Sequence, residues 1–420
     1  MTRPGPDTGL GTLNLTQFLG ALNDNILKFL IIYHIIQHQP ALSPSSVTAT
    51  AGAVFVLPFL LLSPLAGNLA TRYSKSHLIG WIKLLEVVIT CLAVPAFWMG
   101  SPLLLYLVLT AMAIHSALFA PCKYGIIPEL VEHHALTRAN GAIEAATFLA
   151  IIIGTASASL LVDFTQARYP LAASACVLIA FTGWQAARTL PVTAAAAPKL
   201  RGHLSPRPML DSLRAHRRVT PIRVSLIGFA WFMLVGAFAQ MNLIGYGIVQ
   251  LGLRESQSGY LFFAAAIGIA IGSLAAARFA RADQPFGLVI PGGVGMLFCL
   301  IALALMPARL ELIVLFLILF GVSAGLFSVP FQTGLQAYAD PPRRAELLAA
   351  ASMVNWFAVL MASGFLLLVA HTAGRTPAES FFVMGMLHGV VLLLLAWRYP
   401  LLWHHAQKRV SRREDHPAGS

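Results

Sequence analysis

Charged residues are scarce in this chain. Only 10% of its 420 residues are Asp, Glu, Lys or Arg, whereas a soluble protein carries about 25%. Hydrophobic residues make up 58% of the chain, and its mean hydropathy is +0.76. Long apolar runs recur from end to end without the alternation typical of barrel strands. The sequence therefore predicts an all-α, multi-pass membrane protein rather than a soluble one.

Cysteine is also scarce. Cys91, Cys122, Cys176 and Cys299 all fall in apolar runs and show no CxxC spacing. They are predicted to be small packing residues, with no metal site, no cofactor and no disulfide framework. The N-terminus lacks the short apolar region and small-residue cleavage site of a signal peptide, so no cleavable leader is expected.

Hydropathy averaged over about 19 residues separates twelve apolar segments. Their approximate limits are 12–37, 48–71, 78–99, 102–122, 139–162, 169–189, 221–250, 257–280, 286–306, 309–331, 345–371 and 380–403. One long connection lies between the sixth segment and the seventh. We therefore predict a six-helix bundle over 1–190, a basic cytoplasmic linker over 191–220, a second six-helix bundle over 221–405 and a basic cytoplasmic tail over 406–420.

Lysine and arginine are distributed unequally between the two ends of these spans. Most of them lie in the tails, in the linker and in loops on the same side, and the opposite side holds Arg168, Arg254, Arg309 and Arg375. Because basic loops stay in the cytoplasm, both termini are predicted to be cytoplasmic. The net charge of +12 is then explained by membrane orientation, and no nucleic-acid partner is expected.

The two halves share a proline–glycine spacing. Pro121 precedes Gly125, and Pro330 precedes Gly334, at the end of the fourth predicted span of each half. The match indicates a duplicated half. Two such six-helix halves form the major facilitator fold, in which ligands bind near the midplane between the halves. In that architecture the first and fourth spans of each half line the cavity, and the third and sixth support it.

Polar and charged side chains interrupt several predicted spans. Asp24 and Lys28 are four residues apart in the first span and hence share a helix face. A carboxylate at this depth costs roughly 2.5–3.5 kcal/mol on insertion scales. It either forms a local ion pair with Lys28 or lines the cavity, where Asn25 adds a hydrogen-bonding group. Lys83 and Glu86, in the third span, are interpreted as a pair that braces its cytoplasmic end.

Further candidates lie near the cytoplasmic ends of the fourth and fifth spans. Lys123 is predicted to close the fourth span beside Pro121, and Glu144 is predicted to be a gate partner of Lys123 or Lys28. The spans of the C-terminal half carry no deep charge but do carry Gln240, Asn242, Gln332 and Asn355. A cavity with one charged wall and one apolar or merely polar wall suits an amphiphile, whose head and tail need different surroundings.

The connection between the second and third spans resembles the loop motif of the major facilitator superfamily. Gly67 and Lys75 fit that motif, but Thr71 stands where an acidic residue is usual. The lock between helix ends is therefore expected to be weaker or to use another acid, Glu129 or Glu132.

Two stretches resemble the bacterial lysophospholipid transporters of this superfamily. One is Gln17-Phe18-Leu19 with Asn23-Asp24-Asn25, and the other is the run 119–130, with Pro121, Lys123, Tyr124 and Gly125, followed by Asn140, Gly141 and Glu144. The resemblance implies an inner-membrane facilitator that moves lysophosphatidylethanolamine inward without energy coupling. It also implies a functional link to a cytoplasmic-side acyltransferase that re-acylates the lipid.

The chain departs from this family at two positions. The resemblance implies a basic residue in the seventh span and an acidic one in the eleventh, where Gln240 and Ala358 stand here. No His-x4-Asp signature of an acyltransferase is present, so no enzyme activity is expected. The partners expected are lysophospholipid and membrane lipids, with the protein as a monomer in the bacterial inner membrane. The substrate-binding or gating residues are predicted to be Asp24, Asn25, Lys28, Lys123, Tyr124, Glu144, Gln240 and Asn355.

Two other functions stay open from the sequence. One is a proton-coupled exporter of hydrophobic drugs or other amphiphiles, with Asp24 or Glu144 titrating. The other is a membrane scaffold that recruits an acyltransferase through its basic tail.

Overall fold

The computed structural model describes residues 6–39, 44–194, 207–253, 261–279, 285–369 and 376–402. Within these ranges the chain forms thirteen α-helices and no strand. They are α1 (Pro6–His38), α2 (Pro44–Arg72), α3 (Lys75–Met99), α4 (Pro102–Leu130), α5 (Leu136–Phe164), α6 (Tyr169–Arg188), α7 (Arg207–His216), α8 (Thr220–Leu251), α9 (Leu261–Phe279), α10 (Val289–Leu305), α11 (Leu310–Tyr338), α12 (Arg344–Leu367) and α13 (Pro377–Arg398). The predicted tail, 406–420, lies outside the described residues, as does part of the predicted linker.

Six membrane helices precede α7 and six follow it. Eleven of the described helices are long and apolar enough to cross a bilayer, and α10 is a shorter apolar helix of 17 residues. At 1.5 Å per residue α10 is about 25 Å long, near the lower limit for a span. The predicted all-α membrane protein with twelve helices in two halves is therefore confirmed.

Two helices end later than predicted. α4 continues through Pro121 and Pro128 to Leu130, and α11 continues through Pro330 to Tyr338. The prediction that Lys123 closes the fourth span is thus wrong. A proline removes one amide donor, and membrane helices tolerate that loss when neighbouring helices pack around it. The residues of α4 beyond Pro121 still bury an apolar face, and this packing stabilises the helix beyond the proline.

Each half has its own apolar core. In the N-terminal half, α1, α3, α4 and α6 enclose buried aliphatic residues such as Leu27, Ile31 and Met112. In the C-terminal half, Phe238 and Phe381 pack in a T-shaped contact between α8 and α13. The cysteines match their predicted packing role only in part. Cys122, Cys176 and Cys299 are buried packing residues as predicted, whereas Cys91 is exposed on the outside of α3.

Small residues bring α9 and α11 into direct backbone contact. A Cβ added at Gly268 would collide with the backbone of Ile318, and one added at Gly325 would collide with the backbone of Gly272 and Ser273. Close approach of this kind drives helix association in membranes, where no hydrophobic effect separates protein from lipid tails.

The two halves meet on one side of the molecule, which we call the basic side. It carries Arg72, Lys75, Arg138, Arg188, Arg278, Arg343, Arg344 and Arg398 at helix ends. There the end of α2 meets the start of α12, with Gly67 packed against Ala349, and the start of α5 meets the end of α9, with Gly141 packed against Ala277. Between described residues, all hydrogen bonds that join the two six-helix halves directly lie between α5 and α11, toward this side.

The short helix α7 docks on the basic side of the C-terminal half. Met209, Ser212 and His216 face inward and are buried. Ser212 Oγ donates to the carbonyl of Arg343 at 3.3 Å, and the ring of His216 contacts Asp340. Leu213 packs on an apolar cluster at the ends of α11 and α12, against which Tyr124 of the N-terminal half also packs.

Candidate functional site: a buried charge chain and a gate

Asp24 lies near the middle of α1, level with the centre of α4. Its Oδ2 accepts a hydrogen bond of 2.6 Å from Ser116 Oγ, and Ser116 is the middle residue of α4. Its Oδ1 is buried and has no hydrogen-bond partner among the described residues. An unpartnered carboxylate oxygen is expensive in a membrane interior unless a ligand or water reaches it. Asp24 is therefore the strongest candidate for a substrate contact.

Of the two alternatives that the sequence leaves open for Asp24, the local ion pair with Lys28 is not formed. No ion pair within 4 Å joins these two side chains in the described part of the chain. Instead, Lys28 Nζ donates to Asn25 Oδ1 at 3.2 Å and lies 5.1 Å from the ring centroid of Phe29 and 5.7 Å from that of Phe55. Lys28 is thus held by an amide and two aromatic faces, which leaves Asp24 without a lysine partner on its own helix.

The pair on α3 is real but lies deeper than predicted. Lys83 Nζ is 2.6 Å from Glu86 Oε2, and both side chains are 1% exposed. Glu86 is eleven residues into α3, so at 1.5 Å per residue it lies about 16 Å from the basic end of the helix. The prediction of a brace at the cytoplasmic end is wrong, because the pair lies well inside the helix. Glu86 also contacts residues of α1 and α4. Asn23 Nδ2 donates to Glu86 Oε1 at 2.8 Å, and His115 Nε2 is 3.3 Å from Glu86 Oε2.

These contacts extend to Asp24. His115 Nδ1 is 3.4 Å from Ser116 Oγ, whose hydrogen bonds to Asp24. Lys83, Glu86, His115, Ser116 and Asp24 therefore form a continuous polar path from α3 through α4 to α1, which we call the buried charge chain. Neither Ser116 nor His115 was identified as a site residue from the sequence. The signal available was a His-Ser pair at the centre of an otherwise apolar span.

Lys123 and Tyr124 lie in the last third of α4. Lys123 is buried, and its Nζ is 4.4 Å from the ring centroid of Tyr124. No ion pair within 4 Å joins Lys123 to Glu144 in the described ranges. Lys28 likewise makes no ion pair with Glu144 among the described residues, so neither lysine is its direct partner in this state. Glu144 Oε1 instead accepts a hydrogen bond of 2.6 Å from Ser328 Oγ on α11, in the opposite half.

A second contact between the halves lies beside this one. Asn140 Nδ2 donates to Gln336 Oε1 and Gln336 Nε2 donates to Asn140 Oδ1, both at 2.8 Å, and both residues are buried. We call Asn140, Glu144, Ser328 and Gln336 the basic-side gate. Glu144 was predicted to act in a gate, and its position across the interface is compatible with that role. Its three partners could not be identified from the sequence.

The two amides predicted as site residues in the C-terminal half, Gln240 and Asn355, are not part of the buried charge chain or the gate in the described residues. Gln240 is exposed on α8, on the same helix face as Met233, Gly236 and Ile244. Asn355 is half-buried on α12. Within the described part of the chain, neither amide has a hydrogen bond to the buried charge chain or to the gate. No charged side chain of the C-terminal half lies at the depth of Asp24 in those ranges, as the sequence predicted.

The loop motif is completed by Glu129. Lys75 Nζ lies 2.5 Å from Glu129 Oε1 at the end of α4, and Thr71 Oγ1 donates to the carbonyl of Gly67 at 2.9 Å within its own helix. Of the two acids that the sequence offered, Glu129 makes the lock. Glu132 is exposed and pairs with His134.

We expect the gate to loosen when one amide of the reciprocal pair is removed. Gln336→Ala leaves Asn140 Oδ1 buried and without its donor in the closed state, at a cost of about 1–3 kcal/mol, whereas water can satisfy that oxygen once the gate opens. Asn140 Nδ2 keeps its hydrogen bond of 2.9 Å to the carbonyl of Leu136. Leu348 is buried in the apolar cluster at the ends of α11 and α12 against which Tyr124 packs. Labelling of a cysteine introduced at Leu348 is expected to become on the order of tenfold faster.

The double variant Asn140→Ala/Gln336→Ala is the control for this prediction, because it leaves neither amide unpaired. It is expected to label more slowly than either single variant. Equal labelling rates in the parent and in Gln336→Ala would show that the pair does not hold the gate.

In the described part of the chain, twelve apolar helices in two halves, a charged path at mid-depth and hydrogen bonds that join the halves on one side are the features of a membrane transporter. The profile of the Major Facilitator Superfamily matches residues 13–363. The chain is 30% identical over 341 residues to "Lysophospholipid transporter LplT" of Shigella boydii serotype 4 (strain Sb227), with 78% of this chain and 80% of the relative covered. It is 29% identical over 346 residues to the protein of the same name from Cronobacter sakazakii (strain ATCC BAA-894), with the same coverage.

The chain therefore belongs to the Major Facilitator Superfamily and, within it, to the lysophospholipid transporter family. These relatives are transporters, not enzymes. Solved structures show the same fold. The human organic anion transporter MFSD10 (TETRAN) superimposes with a TM-score of 0.78 at 16% identity, covering 93% of this chain and 100% of that chain. The transporter FucP in the outward conformation gives a TM-score of 0.72 at 14% identity, covering 93% and 98%.

Proposed function

We propose that this protein moves a lysophospholipid of the lysophosphatidylethanolamine type across the bacterial inner membrane, toward the cytoplasmic leaflet. The observation that carries the proposal is the Asp24 carboxylate, which lies at mid-depth with its Oδ1 buried and unpartnered. The names of the relatives supply the substrate class. The proposed path is alternating access, in which the halves rock about a site between them.

The charged wall of the N-terminal half suits a zwitterionic headgroup. A headgroup ammonium is a hydrogen-bond donor and matches Asp24 Oδ1. The headgroup phosphate would be met by Lys28 or Lys123, with Asn25 and Tyr124 as polar neighbours. The acyl tail would lie against the C-terminal half, where Gln240 and Asn355 are the polar groups and deep charges are lacking in the described residues.

Both termini and the basic side are proposed to be cytoplasmic. The excess of Lys and Arg at helix ends on that side supports this orientation. The gate between α5 and α11 then closes the cytoplasmic face, so the cavity in this state would receive substrate from the outer leaflet. Opening the gate would release the lipid inward, where a cytoplasmic-side acyltransferase is the expected functional partner. The protein is proposed to act as a monomer.

Uptake of radiolabelled lysophosphatidylethanolamine into spheroplasts tests the function. The host strain lacks its own lysolipid transporter, and the chain is expected to restore uptake. If spheroplasts that contain the folded protein in their membrane took up no lysophosphatidylethanolamine, the proposal would be contradicted.

Dissipating the proton gradient separates facilitated movement from the alternative of a proton-coupled exporter of hydrophobic drugs or other amphiphiles. A facilitator needs no ion gradient, so uptake is expected to be unchanged by a protonophore. Abolition of uptake by the protonophore would instead favour proton coupling, with Asp24 or Glu144 as the titrating group.

A further inference from the structure

A second polar feature lies on the basic side, far from the buried charge chain. Arg223 is in the first turn of α8 and Arg398 is the last residue of α13. Both guanidinium carbons lie close to the ring of Tyr399, at 5.9 Å from its centroid for Arg223 and 5.7 Å for Arg398. The two cations thus lie around one buried aromatic ring.

Neither arginine has an acidic partner in the part of the chain that the structure describes. Within the described residues, no Asp or Glu oxygen lies within 4 Å of either guanidinium. The Nε of Arg223 is buried and has no hydrogen-bond partner in the same ranges. The buried guanidinium N–H of Arg223 is costly without an acceptor, and two like charges around one ring repel each other unless an anion neutralises them.

The depth of this pair identifies the kind of anion. Trp397, next to Arg398, is 77% exposed on the outer surface of α13. Exposed tryptophan beside arginine at a helix end marks the level of the lipid headgroups. An anion at this level, reached from the outer surface of the helix bundle, is the phosphate of a membrane lipid. Basic pockets between membrane helices bind anionic headgroups in this way.

We infer that Arg223, Arg398 and Tyr399 form a binding site for the phosphodiester of an anionic phospholipid in the leaflet on the basic side. Arginine presents a planar set of N–H donors that matches phosphate oxygens. The bound lipid would hold the start of α8 to the end of α13. This site is separate from the cavity between the halves, and it does not depend on the identity of the transported lipid.

Native mass spectrometry of the purified full-length protein tests the site. The protein is titrated with phosphatidylglycerol, with phosphatidylcholine, and with phosphatidylglycerol in the presence of inorganic phosphate. Phosphatidylglycerol is expected to be retained in preference to phosphatidylcholine, and inorganic phosphate at the same concentration is expected not to displace it. Displacement by inorganic phosphate would show a free-anion site and overturn the assignment to a lipid.

The variant Arg223→Gln/Arg398→Gln is expected to weaken retention roughly 25-fold, because each base near an anionic headgroup contributes about fivefold. The control Arg188→Gln/Arg278→Gln removes the same charge from exposed positions on the basic side, one in each half, and is expected to retain the lipid as the parent does. Should the first double variant fail to fold, Arg398→Gln alone replaces an exposed residue and is expected to weaken retention about fivefold. Parental retention in Arg398→Gln or in the double variant would overturn the inference.

Discussion

Asp24→Asn is expected to reduce lysophospholipid transport by about 10- to 100-fold while leaving the amount of folded protein in the membrane unchanged. The substitution keeps the shape of the side chain and its capacity to accept a hydrogen bond from Ser116 Oγ. It removes the negative charge that we propose to meet the headgroup ammonium. A hydrogen bond to a charged group contributes about 1.5–3 kcal/mol, which corresponds to this range. The measurement is uptake in the transporter-deficient strain, normalised to folded protein.

Asp163→Asn is the matched control, since Asp163 is exposed at the far end of α5. It loses the same charge and is expected to transport as the parent does. If Asp24→Asn instead lowered the yield of folded protein in proportion to transport, Asp24 would be a structural residue. Parental transport in Asp24→Asn would remove it from the site.

Lys83→Met is expected to destabilise the folded protein by about 3–5 kcal/mol. The substitution leaves Glu86 buried at 1% exposure without its lysine, and an uncompensated buried charge carries a cost of this size. His115 and Asn23 still face the carboxylate, but neither supplies a permanent positive charge. The expected result is a lower unfolding temperature in detergent and less folded protein in the membrane.

The double variant Lys83→Met/Glu86→Gln tests the reason for this loss. It removes both charges and keeps an amide oxygen for Asn23, so it is expected to recover most of the lost stability. Arg168→Met, an exposed base on the opposite side, controls for loss of a positive charge. A double variant as unstable as Lys83→Met would show that packing, not charge, determines the effect.

Residue spacing along one helix predicted some contacts and not others. Lys83 and Glu86, three residues apart, do form an ion pair, because their nearest partners are each other. Asp24 and Lys28 share a face but do not pair, because Ser116 binds Asp24 and Asn25 binds Lys28. Ser116 is 92 residues from Asp24 in the chain, so helix periodicity gives no sign of this competition.

The loop motif between α2 and α3 predicted a correct contact, because it left only a few acidic residues that could pair with Lys75. Thr71 in place of an acid left two nearby candidates to pair with Lys75, and the structure selects Glu129. The prediction failed at the helix ends, because the fourth and tenth spans were predicted to end one residue after Pro121 and Pro330. Packing of the residues that follow each proline offsets the single lost hydrogen bond, and no local pattern reports that packing.

The sequence by itself determined the membrane class, the two six-helix halves and the presence of charge in the N-terminal half. Hydropathy and charge counts settle these properties, since each depends on the cost of placing a residue type in lipid. Tertiary structure alone decided which buried polar groups on different helices meet. The path from Lys83 to Asp24, the pairing of Asn140 with Gln336 and the two arginines around Tyr399 all join helices distant in sequence. Such contacts depend on how helices pack and rotate against each other, and a single helix does not encode that geometry.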